Sequence, residues 1–186
     1  MQLIPYLKTT FGLTDDLLEH LEQVAVTKRY LKKDIILDAA HYSRKVFFIE
    51  QGLVRMFYYK SGKAITHYFF SEQTFAGGTE SVFYNKKSMY GIEALEPSII
   101  TLIPFYAIAE LASHSIAMNK LIQAILLQAL IGFSARLQSL QFETAQERYH
   151  KLMEQHPDIL LRAPLGDIAS YLGISQQTLS VIRSQR

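Results

Sequence analysis

The chain falls into three zones of different pattern, and the passage from the second to the third limits the fold more than any single motif. Residues 28–108 are dominated by Phe, Tyr, Ile and Val in short runs broken by turn signals. From about residue 104 onward the apolar residues recur at helical spacing instead. The strands are grouped together and most of the helical sequence follows them, without β-α alternation. That order argues for a barrel or roll followed by helices, and against a parallel α/β sheet.

The strand zone divides into Ile35-Ile36-Leu37, Val46 to Glu50, Leu53 to Tyr59, Ile65 to Phe70, Ile92 to Leu95 and Ile99 to Ile103. Gly52 turns one run into the next, and Glu96-Pro97-Ser98 joins the last two. Lys60-Ser61-Gly62-Lys63 reads as a hairpin turn, because Gly62 tolerates positive φ. A helix over about 13–27 precedes the strands. Thr14 or Asp15 can cap it, and Leu17, Leu18, Leu21, Val24 and Ala25 fall on one side.

After the strands, Pro104 is expected to open a short helix at its first position. A long helix is then expected from Ser115 to Phe142, about 40 Å at about 1.5 Å per residue. Leu126, Leu130, Phe133, Leu137 and Leu140 alternate spacings of four and three, the pattern of a coiled-coil seam. An ordinary core helix is the plainer reading. The length and the second apolar face favour one side on the roll and another on a partner copy, hence a homodimer. The most apolar stretch, Leu121 to Ala135, carries Gln123 and Gln128 and lies between Lys120 and Arg136. It falls short of the about 20 apolar residues of a membrane span. The N-terminal MQLIPYLKTTFG lacks a basic region followed by a long apolar run, so no secretory signal is expected. A cytoplasmic protein with no membrane contact is the expectation.

Composition removes several chemistries. The 186 residues include no cysteine, so disulfides, thiolate zinc sites, cysteine-ligated iron–sulfur clusters and a Cys nucleophile are all excluded. The formal charge is only +2, so any nucleic-acid surface must be local. The hydrophobic fraction of 49% is enough for a sizeable core. The six histidines show no metal-ligand spacing. A haem held by His67 or His41 would rest on a lone histidine, a residue more often structural or exposed. There is no nucleophile elbow, metal cluster or phosphate loop, so an enzyme is not expected.

The tail, Leu165 to Arg183, fits a helix-turn-helix. Ala169 supplies the small residue where two steeply crossing helices touch, and Gly173 the positive φ of the turn. Ile168, Leu172, Ile174, Leu179 and Ile182 supply inner-face anchors, and Ser175 is a good N-cap. The second helix of such a unit enters the DNA major groove. Its candidate contacts are Ser175, Gln176, Gln177, Ser180 and Ser184 to bases, with Arg183 and Arg186 to phosphates. Residues 145–186 hold five Lys/Arg and four Asp/Glu, a net charge of only +1. Weak electrostatics shift the burden to a dimer reading two half-sites of a palindrome in double-stranded DNA.

These segments, in this order, resemble the Crp/Fnr family of bacterial transcription regulators. The resemblance covers nearly the whole chain. It implies an α+β fold: an N-terminal double-stranded β-helix (a jelly-roll-like cyclic-nucleotide-binding domain), a long dimerisation helix and a C-terminal winged helix-turn-helix. The boundaries would be 1–114, 115–142 and 143–186. The family's main base-reading slots fall at Gln176, Gln177 and Val181. The nucleotide-sensing members carry Arg, Glu and Arg there, so the target sequence does not transfer. Val181 suits a thymine methyl rather than guanine. RNA polymerase is a further partner the resemblance implies.

The resemblance also implies a phosphate cassette: a Gly-Glu pair, a helical turn, then Arg and a small hydroxyl residue. The matching stretch, Phe75 to Tyr90, offers Gly77, Gly78, Glu80, Ser81, Lys86, Lys87, Ser88 and Tyr90 as candidate effector-pocket residues. No Arg lies between Arg55 and Arg136, so the cassette's cation is missing. Lys86 or Lys87 lacks the planar fork that would replace it. The effector is therefore expected to be a small molecule other than cyclic AMP, or none, with no cofactor. The alternative function is a ligand-binding or protein-interaction module that has lost specific DNA binding.

Overall fold

The computed structural model describes residues 2–184. Two helices, α1 (Leu3–Phe11) and α2 (Asp15–Val24), open the chain. The strands β1 (Val26–Tyr30), β2 (Ile35–Leu37), β3 (Lys45–Gln51), β4 (Val54–Lys60), β5 (Lys63–Phe70) and β6 (Phe75–Ala76) follow. A short helix, α3 (Thr79–Tyr84), precedes β7 (Gly91–Ala94) and β8 (Ser98–Pro104). The remainder is helical: α4 (Phe105–His114), α5 (Ile116–Phe142), α6 (Ala145–Gln155), α7 (Pro157–Arg162), α8 (Leu165–Leu172) and α9 (Gln176–Ser184).

The strands form two antiparallel sheets, in the orders β1-β8-β3-β6 and β2-β7-β4-β5. Non-consecutive neighbours in both sheets make this a jelly roll. Alternation decides which side chains meet between them: Phe47 and Ile49 of β3, Val54 of β4, Ile92 of β7 and Ile100 of β8 are buried in one cluster. The β4–β5 hairpin closes through Ser61 (φ 50°) and Gly62 (φ 74°), two positive φ values in succession. Gly52, at φ 104°, has no room for a side chain: a Cβ there would sit 2.9 Å from the Ser98 Cα.

Three local expectations shift. Val26 and Thr27 belong to β1 rather than to the preceding helix, because α2 already ends at Val24. Pro104 is the N-cap of α4 and the last residue of β8, one position before the helix. The helix α1 was not anticipated. It is held by Leu3 and Leu7, one turn apart and buried, and ends at Gly12 in the left-handed conformation. Together α1, α2, α4 and the first turns of α5 cap the outer face of the roll through Leu7, Leu21, Phe48, Ile108, Met118 and Leu121.

The C-terminal helices do not stand apart from the roll. Leu53, Phe69 and Leu95 of the roll share one buried cluster with Tyr149, Ile168, Leu172 and Leu179. About 40 residues bury too little surface to form a stable core alone, which is the physical reason for that sharing. No strand lies between 143 and 184, so the wing that the resemblance implies has no counterpart among the described residues. The Thr144–Glu147 capping box starts α6, and Pro157 at the first position of α7 restarts the helix in that stretch.

Candidate nucleic-acid interface and effector cavity

The helix-turn-helix is built from local chemistry. Ala169 is 1% exposed at the crossing of α8 and α9, and Gly173 turns the chain at φ 71°. The Ser175 Oγ accepts from the Thr178 N–H at 3.1 Å and caps α9. Leu179 and Ile182 face inward. Ser175, Gln176, Gln177, Ser180, Val181, Arg183 and Ser184 are all exposed. Arg186 lies outside the described residues.

Their availability differs. The Ser180 and Ser184 hydroxyls donate back to the Gln176 and Val181 carbonyls at 3.0 and 2.8 Å, leaving only their acceptor capacity outward. The Gln176 amide folds back over Gly166, where any Cβ would collide with it. Gln177 and Arg183 project without such contacts. The other described cations after residue 145 are engaged. Arg148 donates to the carbonyls of Glu143 and Leu172, Lys151 pairs with Glu143 at 2.7 Å, and Arg162 bonds Glu72 and Glu96.

Two arginines join this unit to the roll. Arg55 of β4 reaches Asp167 of α8, while its Nε donates to Glu93 at 2.6 Å and one terminal nitrogen to the Thr66 hydroxyl at 3.2 Å. Burial raises the Asp167 carboxyl above its ordinary range, more than the Arg55 guanidinium lowers it. From the other side, Arg162 of α7 donates to Glu72 at 2.7 Å and to Glu96. Burial opposes ionisation of Glu72, but the Arg162 and Gly52 hydrogen bonds outweigh it and hold that carboxyl below its usual value. The backbone N–H of Thr66 donates to the Ser170 Oγ at 3.1 Å.

Between the roll, α5 and the helix-turn-helix lies an open cavity of about 1030 Å³. Of the expected pocket residues, Gly77, Glu80 and Tyr90 line it. The others are a correction to the sequence reading. Ser81 is fully buried and its Oγ accepts from the Ser43 N–H at 2.6 Å. Ser88, also fully buried, closes a turn onto the Tyr90 backbone and abuts Gly78, which caps α3. Lys86 and Lys87 are exposed, with Lys87 over the Tyr42 ring at 5.9 Å.

Among the cavity residues that sequence reasoning left out are His67, Phe133 and Arg136. His67 stacks on Tyr90 (centroids 4.7 Å apart) and lies 5.6 Å from the Phe133 ring. Burial, then the neighbouring Arg136 charge, pushes the His67 pKa down. Arg136 rests 3.8 Å above the Tyr171 ring and donates to the Tyr171 carbonyl. The available signal was Arg136 as the sole charge between Lys120 and Glu143.

On α5, Leu126, Leu130, Phe133, Leu137 and Leu140 are all exposed, at 38–64%. Leu127, Ile131 and Phe142 add further exposed apolar surface on the same helix. By length and composition α5 could cross a membrane, and only 11% of its most apolar window is buried.

Jelly roll, long helix and helix-turn-helix, in this order, define the fold of Crp/Fnr-type transcription regulators. Among solved structures it is shared with FixK2 from Bradyrhizobium japonicum, with a TM-score of 0.76 and 20% identity over 87% of this chain and 84% of that one. A putative transcriptional regulator of the Crp/Fnr family from Eubacterium rectale gives 0.74 and 14%, over 97% and 87%. A CooA mutant from Carboxydothermus hydrogenoformans gives 0.73 and 18%, over 99% and 84%. No protein-family model and no curated protein sequence matches the chain.

Proposed function

We propose that the chain is a homodimeric, sequence-specific DNA-binding transcription regulator of the Crp/Fnr type. It is cytoplasmic and not an enzyme, and its effector is other than cyclic AMP. The observation that carries the reading is the helix-turn-helix, with Ala169, Gly173 and Ser175 each doing what that unit requires and the outward face of α9 polar and open. Gln177 reads bases, Gln176 joins it once its amide swings away from Gly166, Val181 meets a thymine methyl, and Arg183 meets a phosphate.

Dimerisation is supported by the exposed seam of α5. Phe133 of that seam meets His67 and Tyr68 of β5, while Leu130 and Leu137 lie roughly a third of a turn from the face carrying Met118, Leu121 and Arg136, so one helix serves the roll and a second copy together. A lipid environment fits poorly, because α5 packs on the roll through Met118 and Leu121 and on α8 through Arg136. With most nearby cations paired internally, two half-sites must supply the affinity.

The test is titration of a palindromic duplex with wild-type protein and with the double variant Gln176→Ala/Gln177→Ala. Each lost bidentate contact removes about 1–3 kcal/mol of discrimination. A preserved affinity and specificity in the double variant would favour a module that no longer reads DNA through α9.

A further inference from the structure

The cavity beside Arg136 has a composition that selects a ligand class. Its lining holds three cations, Lys60, Lys63 and Arg136, against one carboxylate, Glu80. Arg136 makes no ion pair with a carboxylate of the described residues; its contacts are the Tyr171 ring and carbonyl. A guanidinium carries five donors, and one is used there. Burial disfavours its charge, and an anion beside it would offset that cost.

Next to this cation stands an aromatic wall. His67 and Tyr90 are stacked at an interplanar angle of 28°, Tyr58 meets both edge-on, and Phe133 closes the side. A largely apolar recess of about 120 Å³ adjoins this cavity. The two share Met56, Gly77, Thr79 and Phe133, and the recess is also lined by Leu121, Ile125 and Ala129. The lining thus combines cations, an aromatic wall and an adjoining apolar recess.

We propose that this cavity binds an amphipathic monoanion, a carboxylate held by Arg136 with an apolar body against His67 and Tyr90 and its end in the recess. The site uses one flank of the expected cassette stretch, at Gly77, Glu80 and Tyr90, but its anchor is on α5. Gly173, Ile174 and Ser175 of the turn form the opposite wall. A ligand here therefore binds the docked arrangement of the helix-turn-helix in preference to any other, which couples occupancy to DNA affinity. As an effector site it rests on the regulator reading; as a binding site it does not.

Calorimetric titration of the full chain without DNA, using octanoate, 4-phenylbutyrate, octan-1-ol and cyclic AMP, separates these. Saturable binding of a carboxylate at least tenfold tighter than octan-1-ol is expected. Arg136→Leu should weaken it at least tenfold and Arg136→Lys less. Ala129→Phe, at an exposed helical position, should fill the recess and weaken binding without touching the cation. Octan-1-ol binding as tightly as octanoate, or unchanged binding in Arg136→Leu and Ala129→Phe, would overturn the proposal. So would saturable cyclic AMP binding without carboxylate binding. Loss of DNA recognition in Gln177→Ala, a residue outside the cavity lining, with octanoate binding intact, leaves the site standing independently of the regulator reading.

Discussion

Replacing Arg55 with Met tests how the DNA-binding unit is fastened to the roll. The Arg55 side chain is 11% exposed, and its acidic partners Glu93 and Asp167 are 15% and 19% exposed. Removing the cation leaves two carboxylates facing each other with little water. Breaking a buried pair from one side costs about 3–5 kcal/mol; the residual exposure here places the loss near about 3 kcal/mol. For a chain of this length that lowers the melting temperature by about 6–12 °C. The triple variant Arg55→Met/Glu93→Gln/Asp167→Asn removes the stranded charges as well and should recover most of the loss, because the pair itself was costly to bury. Thermal and urea unfolding of the three proteins give the comparison. A loss under about 1 kcal/mol in the single variant, or a triple variant no better than the single, would refute the reasoning.

Three further outcomes are expected. Gly52→Ala combines a strained φ with a clash against Ser98 and should cost about 2–4 kcal/mol, read by urea unfolding. Leu130→Glu/Leu137→Glu changes two exposed positions, so each chain should fold while sedimentation shifts from dimer to monomer. His67 faces Tyr58, Tyr90, Phe133 and Arg136, and its pKa is lowered in the folded state. The unfolded chain therefore binds the proton first, and stability falls as pH drops below about 6.5. His67→Phe should flatten that part of the urea-midpoint profile between about pH 7.5 and 5.5.

What was legible in the sequence was what local chemistry decides. The crossing, turn and cap at Ala169, Gly173 and Ser175 lie within seven residues of one another, and each has one dominant physical reason. The same holds for the β4–β5 hairpin and for α5, whose 27 residues are apolar over most of their length. The short α1 carries only two buried leucines, and β1 is largely exposed, so neither leaves a clear period. The docking of the helix-turn-helix depends on Arg55 meeting Asp167 across 112 residues, which no local pattern encodes.

The candidate site divides the same way. The exposed face of α9 follows from helical spacing around Leu179 and Ile182. The cavity does not, because its cation, aromatic wall and recess come from α5, β5 and β7's approach together. Carrying the cassette across by position put Ser81 and Ser88 in the pocket, whereas the fold spends both on backbone hydrogen bonds.

Selection of bound sequences from a pool of random duplex DNA tests the central claim most directly. The wild-type chain should enrich a palindromic motif, and Gln176→Ala/Gln177→Ala should lose or relax the positions those side chains read. No enriched motif, with or without a carboxylate ligand such as octanoate, would contradict the account; so would the same motif in the double variant.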